Sequence, residues 1–223
     1  MIELIQFPWS PFCLVQTRIL EYAGAPFKTL NIPSTNRSLV WKLSRQRYYQ
    51  VPVLRDGRTV VFETAEDSQV IAKYLDDRFE LGLFPPALAG LQDLLWPVIE
   101  TRIEEIAFRL NDIYYRQFVP AGEQLDYLRH KERKFGQGCI ERWRQEQGFL
   151  RSELARRLLP FEQMLGAHRF LLGNRPYFVD FDLYGMLGAL LYTGRHRLPG
   201  VHPRLRRWHA RMRSIRQTAP TTL

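Results

Sequence analysis

Cysteine is scarce in this chain: its 223 residues include two, Cys13 and Cys139, which lie far apart. Two separated cysteines do not form a disulfide framework, so we expect a reducing compartment and place the protein in the cytoplasm. The five histidines are scattered and show no spacing typical of zinc or iron–sulfur ligation. We therefore expect no metal.

Long apolar runs are also lacking. No stretch of about 18 or more apolar residues occurs, so a membrane-spanning helix is not expected. The first residues, Met-Ile-Glu, do not show the charged segment and apolar segment of a secretory leader. The chain is nevertheless 45% hydrophobic and 13% aromatic, which is enough to bury a large core in one or two domains.

Acidic residues are fewer than basic ones, and the net charge is +9. Six arginines and no acid lie between residues 204 and 216. Such a segment can indicate nucleic acid or an anionic membrane as a partner. Here, however, Leu205, Trp208 and Met212 recur at spacings of three and four, which predicts an amphipathic helix with its arginines in solvent. We therefore expect neither partner.

The N-terminal third alternates between strand and helix patterns. In chain order, the predicted elements are a strand over 2–6, a helix over 12–23, a strand over 27–32, a short helix within 34–50 and a hairpin over 51–62. Gly24 should end the first helix, and Asp56-Gly57 is a preferred two-residue hairpin turn. Thr64 and Asp67 have a spacing like that of a capping box, which predicts the start of a final helix.

The rest of the chain is helical in pattern. We predict an α/β domain over 1–76, a linker over 77–86 that contains Pro85-Pro86, and an all-helical domain over 87–223. The predicted helices are one long helix over 91–113, one after Gly138, a buried one over 179–191 and the arginine-rich one.

One strand-to-helix junction carries reactive side chains. Ser10-Pro11-Phe12-Cys13 lies where the first strand ends and the first helix begins. A helix N-terminus has unpaired N–H groups and a partial positive charge, which stabilise a thiolate or another anion. The motif thus predicts a site that handles a thiol, with Ser10 or Cys13 as the reactive side chain. Two plainer interpretations are Ser10 as a helix cap and Cys13 as a small buried group.

Other motifs follow in a consistent order. They are Val51-Pro52 before the hairpin, Asp67-Ser68 followed by Ile71 and Tyr74-Leu75, the segment 176–185 (Pro-Tyr-Phe-Val-Asp-Phe-Asp-Leu-Tyr-Gly), and the segment 202–208. Together with the Ser10 motif, they resemble the cytosolic glutathione transferase superfamily over essentially the whole chain. Within it, Ser10-Pro11-Phe12 is similar to the active-site turn of the serine-type classes, tau and zeta.

This resemblance implies a thioredoxin-like, glutathione-binding domain followed by an all-helical domain. It also implies glutathione as a co-substrate and assembly as a homodimer. In the family, the serine hydroxyl donates a hydrogen bond to the glutathione sulfur and holds it as a thiolate, which is the role implied for Ser10. The bond between Val51 and Pro52 should be cis, with the Val51 backbone pairing with the cysteinyl part of glutathione.

The γ-glutamyl end of glutathione has two candidate binding pairs. Counted from the helix, the family's acid–hydroxyl pair is Asp67-Ser68; counted from Val51-Pro52, it is Glu63-Thr64. We favour Asp67-Ser68 because its register with the helix is closer. The resemblance also makes Asp180 a buried structural acid, although Tyr177 replaces the usual capping serine or threonine.

Four aromatic residues are candidates to line an apolar cleft between the domains: Trp9, Phe12, Tyr114 and Tyr115. Ordinary core packing is the other explanation for each of them. The predicted function is therefore glutathione transfer to a small apolar electrophile. The alternatives are a glutathione-dependent thiol-disulfide oxidoreductase that uses Cys13, and a non-catalytic binding protein of the same fold.

Overall fold

A four-stranded mixed sheet forms the N-terminal part of the computed structural model, which describes residues 1–64 and 67–217. The strands are β1 (Ile2–Gln6), β2 (Phe27–Asn31), β3 (Val53–Asp56) and β4 (Thr59–Phe62), in the order β2-β1-β3-β4. β1 runs parallel to β2 and antiparallel to β3, and β3 runs antiparallel to β4. The predicted thioredoxin-like arrangement is confirmed.

The helices of this part are α1 (Pro11–Ala23), α2 (Ser38–Leu43) and α3 (Val70–Phe79). α1 ends as predicted, because Gly24 adopts the left-handed conformation with φ +65° and donates its N–H to the Glu21 carbonyl. The hairpin turn lies one residue later than predicted, since Asp56 pairs with Thr59 and leaves Gly57-Arg58 as the turn.

The predicted cap of α3 is wrong. Thr64 accepts a hydrogen bond from the Asp67 N–H at 3.0 Å, but this turn lies ahead of the helix, which begins at Val70. The Glu63 carboxylate, at the end of β4, instead accepts the Val70 N–H at 2.7 Å and the Ile71 N–H at 3.4 Å. Glu63 therefore satisfies the unpaired N–H groups of the first helical turn.

The C-terminal part is helical throughout. Its helices are α4 (Ala89–Val98), α5 (Glu104–Asn111), α6 (Gln124–Phe135), α7 (Cys139–Gln145), α8 (Gln147–Ala167), α9 (Phe178–Leu191) and α10 (Pro203–Ser214). A π-helical turn, Ile99–Ile103, joins α4 to α5, and a 3₁₀ turn, Asp112–Gln117, follows α5. The predicted long helix is thus continuous but not uniform. No residue of α6 is fully buried, and its apolar residues Tyr127, Leu128 and Phe135 pack against the core only partly buried. This helix was not predicted from the sequence.

The two parts meet along α1 and α9, which pack closely together. At Gly185 in α9, a Cβ atom would lie 2.4 Å from Val15 Cγ2 and 2.7 Å from the Pro11 carbonyl oxygen. The buried Arg18 of α1 also donates to the main-chain carbonyls of Met212 and Ile215, so the end of α10 is held against the same helix.

Asp180 is a fully buried structural acid, as predicted. Its carboxylate accepts the Leu171 N–H at 3.0 Å, the Tyr177 N–H at 3.1 Å and the Trp208 indole N–H at 2.8 Å. Burial raises the pKa of this carboxyl to about 6, although these three donors act in the opposite direction. Asp180 thereby connects the start of α9 to α10.

The amphipathic pattern of the arginine-rich segment is confirmed by α10. Leu205, Trp208 and Met212 are fully buried, whereas most of its arginines are exposed. Across the two described ranges, no helix is long and apolar enough to traverse a lipid bilayer.

Candidate active site

A cavity of about 680 Å³ lies between the sheet and the helical part. Its sheet-side wall includes Trp9, Ser10, Phe12, Arg37 and Val51, and its helical wall includes Glu104, Phe108, Asp112, Phe118, Tyr127, His130, Lys131 and Arg133. Three of the predicted site residues, Trp9, Ser10 and Phe12, are therefore neighbours on one wall. Val51 joins them from the turn before β3.

Ser10 occupies the N-cap position of α1, but its side chain makes no capping hydrogen bond. The Ser10 backbone forms the local hydrogen bonds: its N–H donates to the Phe7 carbonyl at 3.0 Å, and its carbonyl accepts the Leu14 N–H at 3.0 Å. The interpretation of Ser10 as a simple side-chain cap is therefore not supported. Ser10 lines the cavity beside the positive end of α1, and its side chain also forms a hydrogen bond with the Cys13 thiol.

The interpretation of Cys13 as a redox thiol requires exposure, and the structure contradicts it. Cys13 is fully buried in a small core with Ile5, Val40 and Val53. Burial raises the pKa of its thiol to about 12 and outweighs hydrogen bonds from the Ser10 side chain and the Phe7 backbone. Because a thiolate is the reactive form, Cys13 is inert at neutral pH.

The peptide bond between Val51 and Pro52 is cis, as the resemblance implied. The β1–β3 ladder ends at the pair formed by Ile5 and Val53, so Val51 lies just beyond the last paired residue. Val51 also lines the cavity. An extended ligand could therefore add its backbone at this point, as a further short strand.

The two candidate γ-glutamyl pairs have different surroundings. Glu63 is buried and caps α3, whereas Asp67 is partly exposed and forms an ion pair with Lys73 at 2.6 Å. The Ser68 hydroxyl donates to both carboxylate oxygens of Glu100, at 3.0 and 3.2 Å. None of the four residues of these pairs is part of the cavity lining, so they form a separate acidic cluster at the start of α3.

The carboxyls of this acidic cluster raise one another's pKa values. Burial, with smaller contributions from Asp67 and Glu100, raises the pKa of Glu63 to about 8. Burial also raises the pKa of Glu100 to about 7, although the Ser68 hydroxyl lowers it. Asp182 of α9 is buried without a hydrogen-bond partner among the described residues, and burial together with Glu100 raises its pKa well above the usual value. Sequence reasoning missed Glu100, which no motif marks, and gave no role to Asp182, although it lies in the 176–185 segment.

Of the four aromatic residues predicted to line the cleft, Trp9 and Phe12 line this cavity, whereas Tyr114 and Tyr115 do not. The Tyr115 ring is buried against Tyr127, and Tyr114 lies beside His196. The physical reason is that the chain tightens into a 3₁₀ turn after α5, and Tyr114 has non-helical angles of φ −104° and ψ 17°. Phe118 reaches the cavity instead, where its ring contacts that of Trp9 at a centroid distance of 5.6 Å.

Two cations of the cavity were also missed. Arg37 places its guanidinium over the Phe7 ring and donates to the Tyr49 carbonyl, and none of the described carboxylates pairs with it. Lys131 of α6 forms an ion pair with Asp112 at 2.6 Å. Lys131 could not be foreseen because α6 itself was not predicted.

Comparison with known proteins gives a consistent result. Models of the glutathione S-transferase N-terminal and C-terminal domains match residues 4–83 and 131–211. No curated protein matches the sequence. A glutathione S-transferase of Ceriporiopsis subvermispora in complex with glutathione is similar at 16% identity and TM-score 0.79, over 95% of this chain and 96% of that one.

Other solved structures share the same fold. The transferase GSTFuA3 of Phanerochaete chrysosporium is 18% identical with TM-score 0.77, over 95% and 96% of the two chains. The theta class enzyme of Xanthomonas axonopodis pv. citri with glutathione bound is 18% identical with TM-score 0.67, over 96% and 92%. With both domain models matched in order on this fold, the chain belongs to the glutathione S-transferase superfamily.

Proposed function

We propose that this protein is a serine-type glutathione transferase, which activates the glutathione thiol beside Ser10 for attack on an electrophile in the cavity. The observation that carries the proposal is the position of Ser10, which lines the cavity at the N-terminus of α1 and whose hydroxyl is not used as a helix cap. A hydroxyl donor and a helix dipole both favour the thiolate over the thiol. The sulfur then forms the new bond to the electrophilic carbon.

The backbone of glutathione has a supporting surface on the same wall. We infer that Val51 pairs with the cysteinyl residue of glutathione, because its backbone lies beyond the end of the β1–β3 ladder. Arg37 suits the glycine carboxylate, since it is a cation of this wall without a carboxylate partner among the described residues. A guanidinium binds carboxylates through directed, charge-assisted hydrogen bonds.

We assign the γ-glutamyl end to Asp67-Ser68 rather than to Glu63-Thr64. The Glu63 carboxylate is already engaged by the Val70 N–H at the start of α3. Asp67 and Glu100 offer carboxylates to the ligand's ammonium group. The Ser68 hydroxyl, which donates to Glu100 in this structure, would turn from Glu100 to donate to the ligand's carboxylate close to the helix N-terminus. An ammonium here also relieves the mutual repulsion that contributes to the high pKa values of Glu63 and Glu100.

The test combines Ser10→Ala with calorimetry and conjugation of 1-chloro-2,4-dinitrobenzene. We expect glutathione to bind the variant within a few-fold of the wild type, because the sulfur is one contact among many. The value of kcat/KM should fall roughly 10- to 100-fold, the equivalent of one hydrogen bond to a charged group. The pH at which activity is half-maximal should rise by about one to two units, because the thiolate loses a donor.

Cys13→Ala is the matched control, and its activity should equal that of the wild type because the Cys13 side chain is buried. Loss of activity in this control with full activity in Ser10→Ala would restore the oxidoreductase alternative. Glutathione binding without turnover of any electrophile would indicate a non-catalytic binding protein. No binding at millimolar glutathione would overturn the proposal, and Asp67→Ala should weaken that binding if the γ-glutamyl assignment is correct.

We further propose that the protein forms a homodimer through α4. Leu91, Leu94 and Val98 lie three and four residues apart, and all are exposed, with Leu94 exposed by 72%. Such an apolar stripe on one helix favours a protein contact, and the family resemblance implies that the partner is a second copy of this chain.

Leu94→Glu should convert a dimer to a monomer at micromolar concentration in sedimentation velocity. Leu159→Glu, on exposed α8 surface, should not; a monomeric wild type contradicts the proposal.

We propose a cytoplasmic location. Both cysteines are buried and free, so no described disulfide requires an oxidising compartment. Imaging of a tagged protein tests this directly.

A further inference from the structure

The helical wall of the cavity carries a cation in a fixed position. The Lys131 ammonium forms an ion pair with Asp112 at 2.6 Å and lies 4.4 Å from the centre of the Phe108 ring. The Tyr127 ring, at 5.3 Å, is a second aromatic neighbour. The Lys131 side chain is only 15% exposed, and it lines the cavity. Packing and pairing therefore hold the ammonium in place before a ligand arrives.

This ammonium retains hydrogen-bonding capacity. A lysine ammonium has three N–H donors, and Asp112 is the ion-pair partner found for it within residues 1–64 and 67–217. An oxygen of a ligand in the cavity can accept another of these donors. Since Asp112 fixes the side chain, this second contact requires little further ordering of Lys131.

The cavity wall around Lys131 carries less negative charge than its number of acidic residues implies. Glu104 lines the same wall, but burial raises the pKa of its carboxyl to about 7, although Lys131 and Lys134 lower it. It is therefore not fully ionised at neutral pH. His130 responds to the same surroundings, because burial and then the charges of Lys131, Arg37 and Arg133 lower its pKa. Asp126 also lines the cavity but lies 3.8 Å from Arg129, whereas Arg37 and Arg133 have no carboxylate partner among the described residues. The cavity thus favours an anion over a further cation.

The opposite side of the cavity is aromatic. Trp9 and Phe12 line the sheet-side wall, and the Phe118 ring lies against Trp9. An apolar body can lie against these rings, with one end directed towards the cation. The cavity is therefore chemically divided, rather than uniformly apolar as the sequence predicted.

We propose that Lys131 forms a carboxylate subsite, so that the preferred second substrates are electrophiles that combine an aromatic or apolar body with a carboxylate. Lys131 is then a specificity-determining residue. The inference rests on the proposed function in one respect only: it takes the ligand that Lys131 binds to be the electrophilic second substrate. The subsite itself is tested by binding and does not depend on turnover.

The experiment uses an unreactive matched pair of ligands, 3,5-dinitrobenzoate and 1,3-dinitrobenzene. Their binding to the full chain is measured by calorimetry and by quenching of tryptophan fluorescence, with and without saturating glutathione. We expect the wild type to bind the benzoate roughly tenfold or more tightly than the neutral ligand, the gain typical of a charge-assisted hydrogen bond. Lys131→Met should remove this preference and change the affinity for 1,3-dinitrobenzene less than twofold.

Matched variants keep the result interpretable. Lys131→Arg should retain the preference for the benzoate, and Arg133→Met, which removes an exposed arginine of the same cavity, should reduce it less than threefold. If Lys131→Met unfolds because Asp112 loses its partner, the double variant with Asp112→Asn removes both charges and should show the same lost preference. Equal wild-type affinity for the two ligands, or a preference that persists without Lys131, would overturn the proposal.

A third outcome separates this subsite from the glutathione site. If glutathione displaces the benzoate and Lys131→Met weakens glutathione binding, the carboxylate recognised by Lys131 is that of glutathione, and the proposal fails. Simultaneous binding of glutathione and the benzoate supports it. A protein that binds the benzoate through Lys131 but does not bind glutathione would retain the subsite and lose the proposed function.

Discussion

The junction between the two parts of the molecule has a packed region and an open region, and they are built on opposite principles. In the packed region, Gly185 of α9 lets α1 approach so closely that a single Cβ atom would overlap Val15 and the Pro11 carbonyl. In the open region, a cavity of about 680 Å³ is lined by charged and aromatic side chains such as Lys131 and Trp9. One region tolerates no added atom, whereas the other has space for a ligand.

The difference shows how the fold supports the site. Ser10 immediately precedes α1, and Pro11 is both the first residue of that helix and a contact of the Gly185 position. The packed region therefore sets the position of Ser10 relative to the helical wall. A rigid junction allows the cavity walls to remain apart without collapsing onto each other.

Gly185→Ala is the change with the largest expected effect, because it acts on the packed region. The new methyl group would meet Val15 Cγ2 at 2.4 Å, the Pro11 carbonyl at 2.7 Å and the Val15 nitrogen at 2.9 Å. Two of these atoms belong to the backbone and cannot rotate away. We expect a loss of about 3 kcal/mol or more in the free energy of unfolding, measured by urea denaturation.

Gly188→Ala is the control on the same helix. The nearest atom to its Cβ would be Leu14 Cδ1 at 3.0 Å, the far end of a flexible side chain. A small loss, or a small gain from better helix propensity, is expected there. Equal losses at both positions would show that the cost comes from α9 itself and not from its contact with α1.

The sequence predicted those parts of the site that are determined by residues close together in the chain. Gly24 ends α1 because a left-handed residue is needed there, and the Ser10 motif directly follows β1 in the chain. The cis bond before Pro52 was available from the resemblance. Asp180 and the apolar face of α10 were also foreseeable, since a motif marks one and a helical period marks the other.

The helical wall could not be predicted in the same way, because its residues meet through tertiary packing. Glu100 accepts a hydrogen bond from Ser68, which is 32 residues away in the sequence. The position of Glu100 depends on a π-helical turn that no sequence motif predicts. Tyr114 and Tyr115 lie in the expected segment, but a 3₁₀ turn rotates them out of the cavity. Lys131 belongs to α6, a mostly polar helix whose apolar residues are only partly buried.

Two buried acidic residues of α9 differ in their hydrogen bonding. Asp180 has three N–H donors, whereas Asp182, two residues later, is buried without any hydrogen-bond partner among the described residues. Burial raises the pKa of Asp182 well above its ordinary value of 3.8, so the folded state holds a proton that the unfolded state releases. Stability should therefore fall as the pH rises from 3.8 towards the folded-state pKa.

Asp182→Asn should remove this loss, because an amide does not ionise. We expect the variant and the wild type to have similar unfolding free energies near pH 4, and the variant to be the more stable of the two near pH 8. Urea denaturation across that pH range measures the difference. Asp180→Asn is the matched control and should destabilise the protein near pH 8, because an amide nitrogen cannot accept the N–H groups that the carboxylate accepts. A constant offset between Asp182→Asn and the wild type would mean that Asp182 does not titrate on folding.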